Sequence, residues 1–372
     1  MYKQSPWAIA GVAAMSLALA ACGGSSAPSA PAAGGPPSAS VKTGKVGVIL
    51  PDATTSPRWE SKDRPLLEAS FKTAGITADI QNANGDKSRF GTLCDGMINS
   101  AVNVLMIVNL DSDSGTACLK KAQAAGIKTI DYDRLTLGGG ASYYVSFDNV
   151  AVGGLMATGL EKCLTDSGKT KANIVLIDGD PTDNNAALFK QGYVDGLKTK
   201  VGSGDYKIVG NQTGKWDANI AGKAFEQIYT QQGGKIDGVV SANDTMAGGI
   251  IARLKANKAN GKVPVTGQDA SVAGLQAILT GDQCMTVYKA IKKEADAASQ
   301  LAIALIQGTD ATSIAKGSVT DTVLKKEVPS ALQEPVAIYK GTVKTVIDDG
   351  YQTVADVCTA AAAAACKTAG IQ

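Results

Sequence analysis

Five short apolar runs of this 372-residue chain end in side chains that hydrogen-bond in complementary senses. Asp133 and Arg134 follow KTIDY, Asp183 to Asn185 come just after IVLIDGDP, Asn243 and Asp244 follow GVVSA, Gln268 and Asp269 follow VPVTG, and Lys289 ends TVYK. Asp and Asn can accept, or in Asn also donate, whereas Arg and Lys only donate, and charge-assisted bonds are the stronger kind. A polyol needs many such partners at once. A sixth stretch, TTSPRWESKDR at Thr54 to Arg64, follows KVGVILP where a phosphate-binding turn would be glycine-rich, and it offers Arg58, Trp59 and Lys62 instead. Trp59 and Trp216 could present flat faces to the C–H side of a sugar ring. The set is neutral overall, which favours an uncharged ligand.

Each of these residues also has a purely structural use. Asp183 or Asn243 after a strand can cap the next helix, a lone Trp can be core, and Asp133 with Arg134 can be a structural ion pair. The functional reading rests on five strand ends agreeing. Lys62 reads as a solvated helix residue.

Other chemistries have less support. The chain has no histidine, which removes Ser-His-Asp and Cys-His catalysis and histidine-ligated zinc. Asp178, Asp180 and Asp183 lack the glycine and distal glutamate of an EF-hand loop, so no metal is expected. SGKT at 167–170 has a phosphate-loop ending but precedes a strand, follows a helix and has Cys163 in place of the first glycine. No cofactor motif remains. With 36 basic and 34 acidic residues the net charge is only +2, and no basic stripe suggests nucleic acid. Carboxylates in a cleft can act as an acid and base pair, so a glycosidase stays open as an alternative.

The elements that must position these residues alternate regularly. KVGVIL, NVLMIVNL and KTIDYDR alternate with RPLLEASFKTAG and GTACLKKAQAAG, and the pattern restarts at YYVSFDN followed by VAVGGLMATGLEKCL. NIVLIDGD, YKIVGNQT, IDGVVSAND and VPVTGQDA then each precede a helical segment. Strand runs apolar on both faces and separated by helices indicate parallel sheets covered on both sides. The economical reading is an α/β chain of two doubly wound units joined near residue 147. CMTVYKA and its helix KKEADAASQLAIALIQG form one more βα unit, read as returning to the first lobe. The expected boundaries are 45–147 plus about 285–308 for the N-terminal lobe, 148–284 plus about 309–345 for the C-terminal lobe, and a tail at 346–372. A chain that crosses between lobes more than once makes a hinge.

The first 22 residues read as an export signal: Lys3, then the apolar run AIAGVAAMSLALAA, then Leu19-Ala-Ala-Cys22. That ending resembles the bacterial lipobox, which implies lipidation of Cys22 and an extracytoplasmic protein anchored to the outer face of the cell membrane. Residues 23–44, rich in Gly, Ser, Pro and Ala, read as a flexible linker. The remaining six cysteines, Cys94, Cys118, Cys163, Cys284, Cys358 and Cys366, suggest disulfides. Cys94 and Cys118 lie on consecutive helices flanking one strand and are the favoured pair. Cys358 and Cys366 flank six alanines; a continuous helix would set them about 12 Å apart, beyond the roughly 7 Å limit for a bridge, so either the tail bends or they pair elsewhere. The order among the last four is open.

The stretches RW at 58 and 59, INSAVNVLMIV, GIKTIDYDRL, YYVSFDNVAVG, GDPTDNNAALFKQG, SANDTMAGG, VTGQDA and MTVYK together resemble the bacterial periplasmic sugar-binding proteins of ABC transporters, in the pentose/hexose branch. They span Lys45 to about residue 330 in order. The resemblance implies the type I periplasmic binding protein fold, two Rossmann-like lobes with parallel sheets joined by a three-strand hinge that closes on a sugar. It places sugar contacts at Arg58, Asp133, Arg134, Asn185, Trp216, Asn243, Asp269 and Lys289, with Asp183 and Gln268 beside them. It further implies a monomeric binder, not an enzyme, that takes D-xylose or a related aldose to a membrane permease. A sugar receptor feeding a signalling partner is the competing expectation.

Overall fold

The computed structural model describes residues 43–371. The signal segment, Cys22 and most of the expected linker therefore lie outside the described residues. In chain order the elements are β1 (Lys45–Leu50), α1 (Arg64–Thr73), β2 (Thr77–Asn82), α2 (Lys87–Asn99), β3 (Val104–Ile107), α3 (Ser112–Ala124), β4 (Lys128–Tyr132) and β5 (Tyr143–Phe147). There follow α4 (Asn149–Asp166), β6 (Ala172–Asp178), α5 (Asn184–Gly202), β7 (Tyr206–Thr213), α6 (Ala218–Gln231), β8 (Gly238–Ser241), α7 (Asp244–Ala256) and α8 (Val272–Thr280). The last are β9 (Met285–Tyr288), α9 (Ile291–Gln307), β10 (Gly317–Asp321), β11 (Lys326–Gln333), β12 (Val336–Tyr339), α10 (Val343–Asp348), α11 (Val354–Val357) and α12 (Ala363–Thr368).

Two sheets organise these elements. The first has seven strands in the order β2-β1-β3-β4-β5-β11-β10, parallel except for the β10–β11 hairpin at its edge. The second runs β7-β6-β8 in parallel and continues through single bridges, Val239 to Val265 and Gln268 to Val287, to the antiparallel pair β9–β12. Both begin with the strand order 2-1-3, the doubly wound arrangement whose carboxyl edge opens a crevice beside the first strand. Residues such as Val46, Val48, Val104 and Met106 fill one core, and Ile174, Leu176, Val239 and Val240 fill another.

Strand pairing departs from the expected lobe boundaries. Met285–Tyr288 lies in the second sheet, not the first lobe, and 317–333 completes the first sheet, not the second lobe. Of that βα unit only α9 packs against the first sheet, with Ala295, Ala298 and Leu301 in its core. The chain crosses between sheets three times, after Phe147, Tyr288 and Gln333. A four-residue strand buried on both faces carries no mark of which sheet it joins. β2 is also absent from the sequence reading, because as an edge strand with polar Thr77, Asp79, Gln81 and Asn82 it lacks the apolar run used to find the others.

Three disulfides pair Cys94 with Cys118, Cys163 with Cys284 and Cys358 with Cys366, at Cα separations of 5.9, 6.5 and 5.8 Å. The last is possible because the alanine run is not one helix. α11 ends at Val357 and α12 starts at Ala363, so the chain turns between the two cysteines.

Candidate functional site

The loop after β1 closes without glycine because Asp52 does the work of a turn. Its Oδ1 accepts from the backbone N–H of Thr54 at 2.7 Å and of Thr55 at 2.6 Å, and its Oδ2 from the Thr55 hydroxyl at 2.7 Å. Arg58 already has helical dihedrals, and Trp59–Asp63 forms a wide π turn, with the Arg64 N–H bonded back to the Trp59 carbonyl, that leads into α1. This extra-wide turn puts Arg58 and Asp63 on one side, buried and bonded to each other.

Around Arg58 the polar strand ends converge. All ten residues assigned from sequence, Arg58, Trp59, Asp133, Arg134, Asp183, Asn185, Trp216, Asn243, Asp269 and Lys289, line one small cavity. Gln268 joins them. So do Thr55, Ser56 and Phe189, which the sequence reading did not single out. Phe189 sits one helical turn after Asn185 on α5, a spacing that faces both residues the same way. α5 packs closely on α4 because Gly192 of α5 and Gly153 of α4 face each other; a Cβ on Gly153 would stand 2.0 Å from the Phe189 carbonyl oxygen.

The cavity lining balances charge, with Arg58, Arg134 and Lys289 against Asp133, Asp183 and Asp269. Arg58 Nη1 donates to Asp133 Oδ2 at 2.8 Å, Lys289 Nζ lies 3.3 Å from Asp269 Oδ1, and Arg134 Nε lies 3.0 Å from Asp183 Oδ2. Burial pushes the Asp133 carboxyl up, but Arg58, Lys289 and Arg134 together hold it below the usual carboxylate range. For Asp183 burial wins over Arg134 and the pKa is raised. Several buried polar atoms have no hydrogen-bond partner among the described residues: the indole N–H of Trp59 and of Trp216, and Gln268 Oε1. Unpaired buried polar groups are unfavourable, and these three side chains all line the same cavity.

Backbone strain is present at the same place. Asp133, Trp216 and Asp269 adopt φ of 63°, 60° and 97°. Such positive φ in non-glycine residues costs about 1–3 kcal/mol each and persists only where surroundings fix it. Asp133 is so fixed: its carbonyl accepts from Tyr144 at 3.0 Å, Ser146 at 2.8 Å and Asn185 at 3.0 Å. Trp216 has its ring against Gly179, where a Cβ would come within 2.1 Å, and meets Phe189 edge-on at 6.2 Å.

Capping and cavity lining turn out to be compatible. Asp183 accepts from the Asn185 N–H at 2.9 Å and Asn243 from the Met246 N–H at 2.9 Å, and both still line the cavity. Trp59 is likewise both core and lining, with the Arg58 guanidinium 4.3 Å above its ring. Lys62 differs from the expectation of a solvated residue, since its ammonium sits 5.2 Å from the Tyr351 ring of the C-terminal tail and burial lowers its pKa. Among the described residues no cluster of His, Cys, Asp and Glu could hold a metal ion, and no helix is long and apolar enough to cross a membrane.

Comparison with known proteins follows the same lines. A family model described as a periplasmic binding protein domain matches residues 46–310. The chain is 37% identical over 273 residues to the D-xylose-binding periplasmic protein of Escherichia coli, covering 73% of this chain and 81% of that protein. It is 31% identical over 289 residues to the multiple sugar-binding periplasmic receptor ChvE of Rhizobium radiobacter, covering 73% and 80%. A carbohydrate transporter solute-binding protein from Chloroflexus aurantiacus, solved with D-glucose, superposes with a TM-score of 0.77 at 29% identity, covering 84% of this chain and 98% of that one.

Proposed function

Since this chain belongs to the periplasmic binding protein family, we propose that it is the sugar-binding component of an ABC importer, taking D-xylose or a related aldose in the cavity between its lobes. The observation that carries the reading is the cavity itself, small, charge-balanced, lined from both sheets and edged by aromatic rings. An anion would leave uncompensated charge among three cations and three carboxylates; a ring of hydroxyls pairs with all of them.

In this reading Arg58, Asp133, Arg134, Asp183, Asn185, Asn243, Asp269 and Lys289 bond the sugar hydroxyls, and Trp59 and Trp216 face its ring. Sugar that touches both lobes has greater affinity for the closed arrangement and shifts the population toward it. The three crossings are the hinge. A permease then reads the closed form, and lipid at Cys22 holds the protein near it on the outer face of the cell membrane. The protein acts as a monomer and without cofactor. No catalysis is invoked: Asp133, held low by its cations, is an ion-pair partner and a poor general acid.

The kinship with a sugar receptor supports a second reading, in which the closed form feeds a signalling partner. Both readings require the same ligand. A thermal-shift panel of xylose, arabinose, ribose, glucose and galactose tests it, because a ligand that binds only the folded state raises the melting temperature. A shift with at least one of them is expected, largest with xylose; no shift with any would end the aldose reading. Hydrolysis of an aryl glycoside would revive the enzyme alternative.

A further inference from the structure

Behind the cavity, Arg58 is held by more acid than its contact with Asp133 requires. Its Nε donates to Asp63 Oδ2 at 2.9 Å, its Nη2 to Asp63 Oδ1 at 2.7 Å and to Glu294 Oε2 at 2.6 Å, and its Nη1 to Asp133 Oδ2 at 2.8 Å. Guanidinium has five N–H donors in a fixed plane. Four are therefore committed, three of them to carboxylates that do not line the cavity. The fifth, on Nη1, is left on the side of Asp133, which does.

We infer that Glu294, with Asp63, is a positioning residue for sugar recognition, fixing the Arg58 plane so that a single Nη1 donor is presented to the ligand. The inference rests on the sugar-binding reading for the ligand but not for the geometry. Glu294 stands in the first turn of α9, fully buried, 236 residues from Arg58 in sequence. Through it the crossing after β9 is tied to the π turn after β1, so Arg58 is held by the hinge-side helix as well as by its own loop.

Three carboxylates around one guanidinium carry excess negative charge. Asp133 has a second cation, Lys289, at 3.9 Å, and Asp63 has the Tyr132 hydroxyl at 2.6 Å. Glu294 Oε2 accepts from Arg58, and its Oε1 has no hydrogen-bond partner among the described residues. The groups that face it are Arg58 and Asp63 from the π turn, Tyr132 and Asp133 at the end of β4, Tyr144 on β5 and Lys289 after β9. Burial, together with repulsion from Asp133 and Asp63, keeps the Glu294 carboxyl well above its ordinary pKa against the pull of Arg58 and Lys289. Through its Oε2, Glu294 orients Arg58 from behind the cavity lining.

The test uses the full chain with Glu294→Gln, which keeps an acceptor oxygen, and Glu294→Leu, which keeps the volume and removes it. Nitrogen-15 spectra of the arginine side chains, taken without sugar, report whether the Arg58 guanidinium is locked. Titration with D-xylose at pH 7 reports affinity. Glu294→Gln is expected to keep the locked Arg58 signals and a Kd within threefold of the parent. Glu294→Leu is expected to release the signals and weaken D-xylose more than tenfold. Unchanged signals or an unchanged Kd in Glu294→Leu would overturn the inference. So would a Gln variant as weak as the Leu variant, because charge and not placement would then matter. Should Glu294→Leu fail to fold, the Gln variant alone still overturns it by losing the locked signals. Absence of D-xylose binding by the parent would count against the sugar reading, while the sugar-free spectra still decide the positioning.

Discussion

The Ser56 hydroxyl in the first lobe donates to Asp269 Oδ2 in the second at 3.1 Å, joining loops 213 residues apart in sequence across the cavity. A second bond, from Asn243 Nδ2 to the Thr55 carbonyl at 3.3 Å, runs beside it. These bonds exist only while the lobes are together. They belong to the closed arrangement and contribute nothing to an open one.

Ser56→Ala should therefore weaken sugar binding by removing a bond of the closed arrangement. One hydrogen bond is worth about 0.5–1.5 kcal/mol net, so the apparent Kd should rise about twofold to tenfold. Small-angle scattering of the sugar-free protein should show a larger radius of gyration than the parent. An unchanged Kd and radius would mean that the bond does not bias closure.

Asp269→Ala should abolish the thermal shift with sugar and leave the sugar-free melting temperature nearly unchanged. Lys289 retains Asp133 at 3.9 Å as a counter-charge, so truncation does not strand a buried cation. Strain at φ 97° is not relieved by alanine, and the Gln352 side chain still bonds the neighbouring Ala270 carbonyl at 3.2 Å. A surviving thermal shift would remove Asp269 from the site.

Much of this site was legible because doubly wound sheets collect ligands at one edge, and the polar residues of that edge stand beside recognisable strands. What was hidden depends on partners distant in sequence. Glu294 lies in KKEADAAS, which reads as the wet face of a helix, and nothing nearby announces Arg58. Lys62 looked solvated because Tyr351 comes from the far end of the chain. Phe189 was lost among ordinary core aromatics, although its spacing from Asn185 was a usable signal. The lobe assignment of β9 and β10–β11 failed for the same reason: short strands show burial but not the identity of their neighbours.

Two buried aspartates outside the cavity set a pH dependence. Burial raises Asp131 to about 7 despite its bonds from the Thr136 N–H and hydroxyl, and raises Asp244 to about 7 despite those from Gln283, Ser271 and Thr286. Folded pKa values above the unfolded value of about 3.9 mean that the folded state binds more protons. The stability they contribute is fully present below about pH 4 and is lost as pH rises through about 7. The melting temperature should fall between pH 5 and pH 7.5, and Asp131→Asn with Asp244→Asn should flatten that slope. A melting temperature that rises with pH across this window in the parent would refute the assignment.

The three disulfides should differ in worth according to the loop each closes. Their sequence separations are 24 for Cys94–Cys118, 121 for Cys163–Cys284 and 8 for Cys358–Cys366. Chain-entropy reasoning assigns about 3.5, about 5 and about 2.5 kcal/mol to loops of these lengths. Replacing each pair by alanine should therefore lower stability in the order Cys163–Cys284, then Cys94–Cys118, then Cys358–Cys366, measured by urea unfolding. Cys163–Cys284 also ties α4 to the residue before β9, so its loss should loosen the strand that leads to Lys289. The Cys163→Ala, Cys284→Ala variant should then bind sugar more weakly, whereas the Cys358→Ala, Cys366→Ala variant should not. Equal destabilisation by all three would show that local packing, and not loop entropy, sets their contribution.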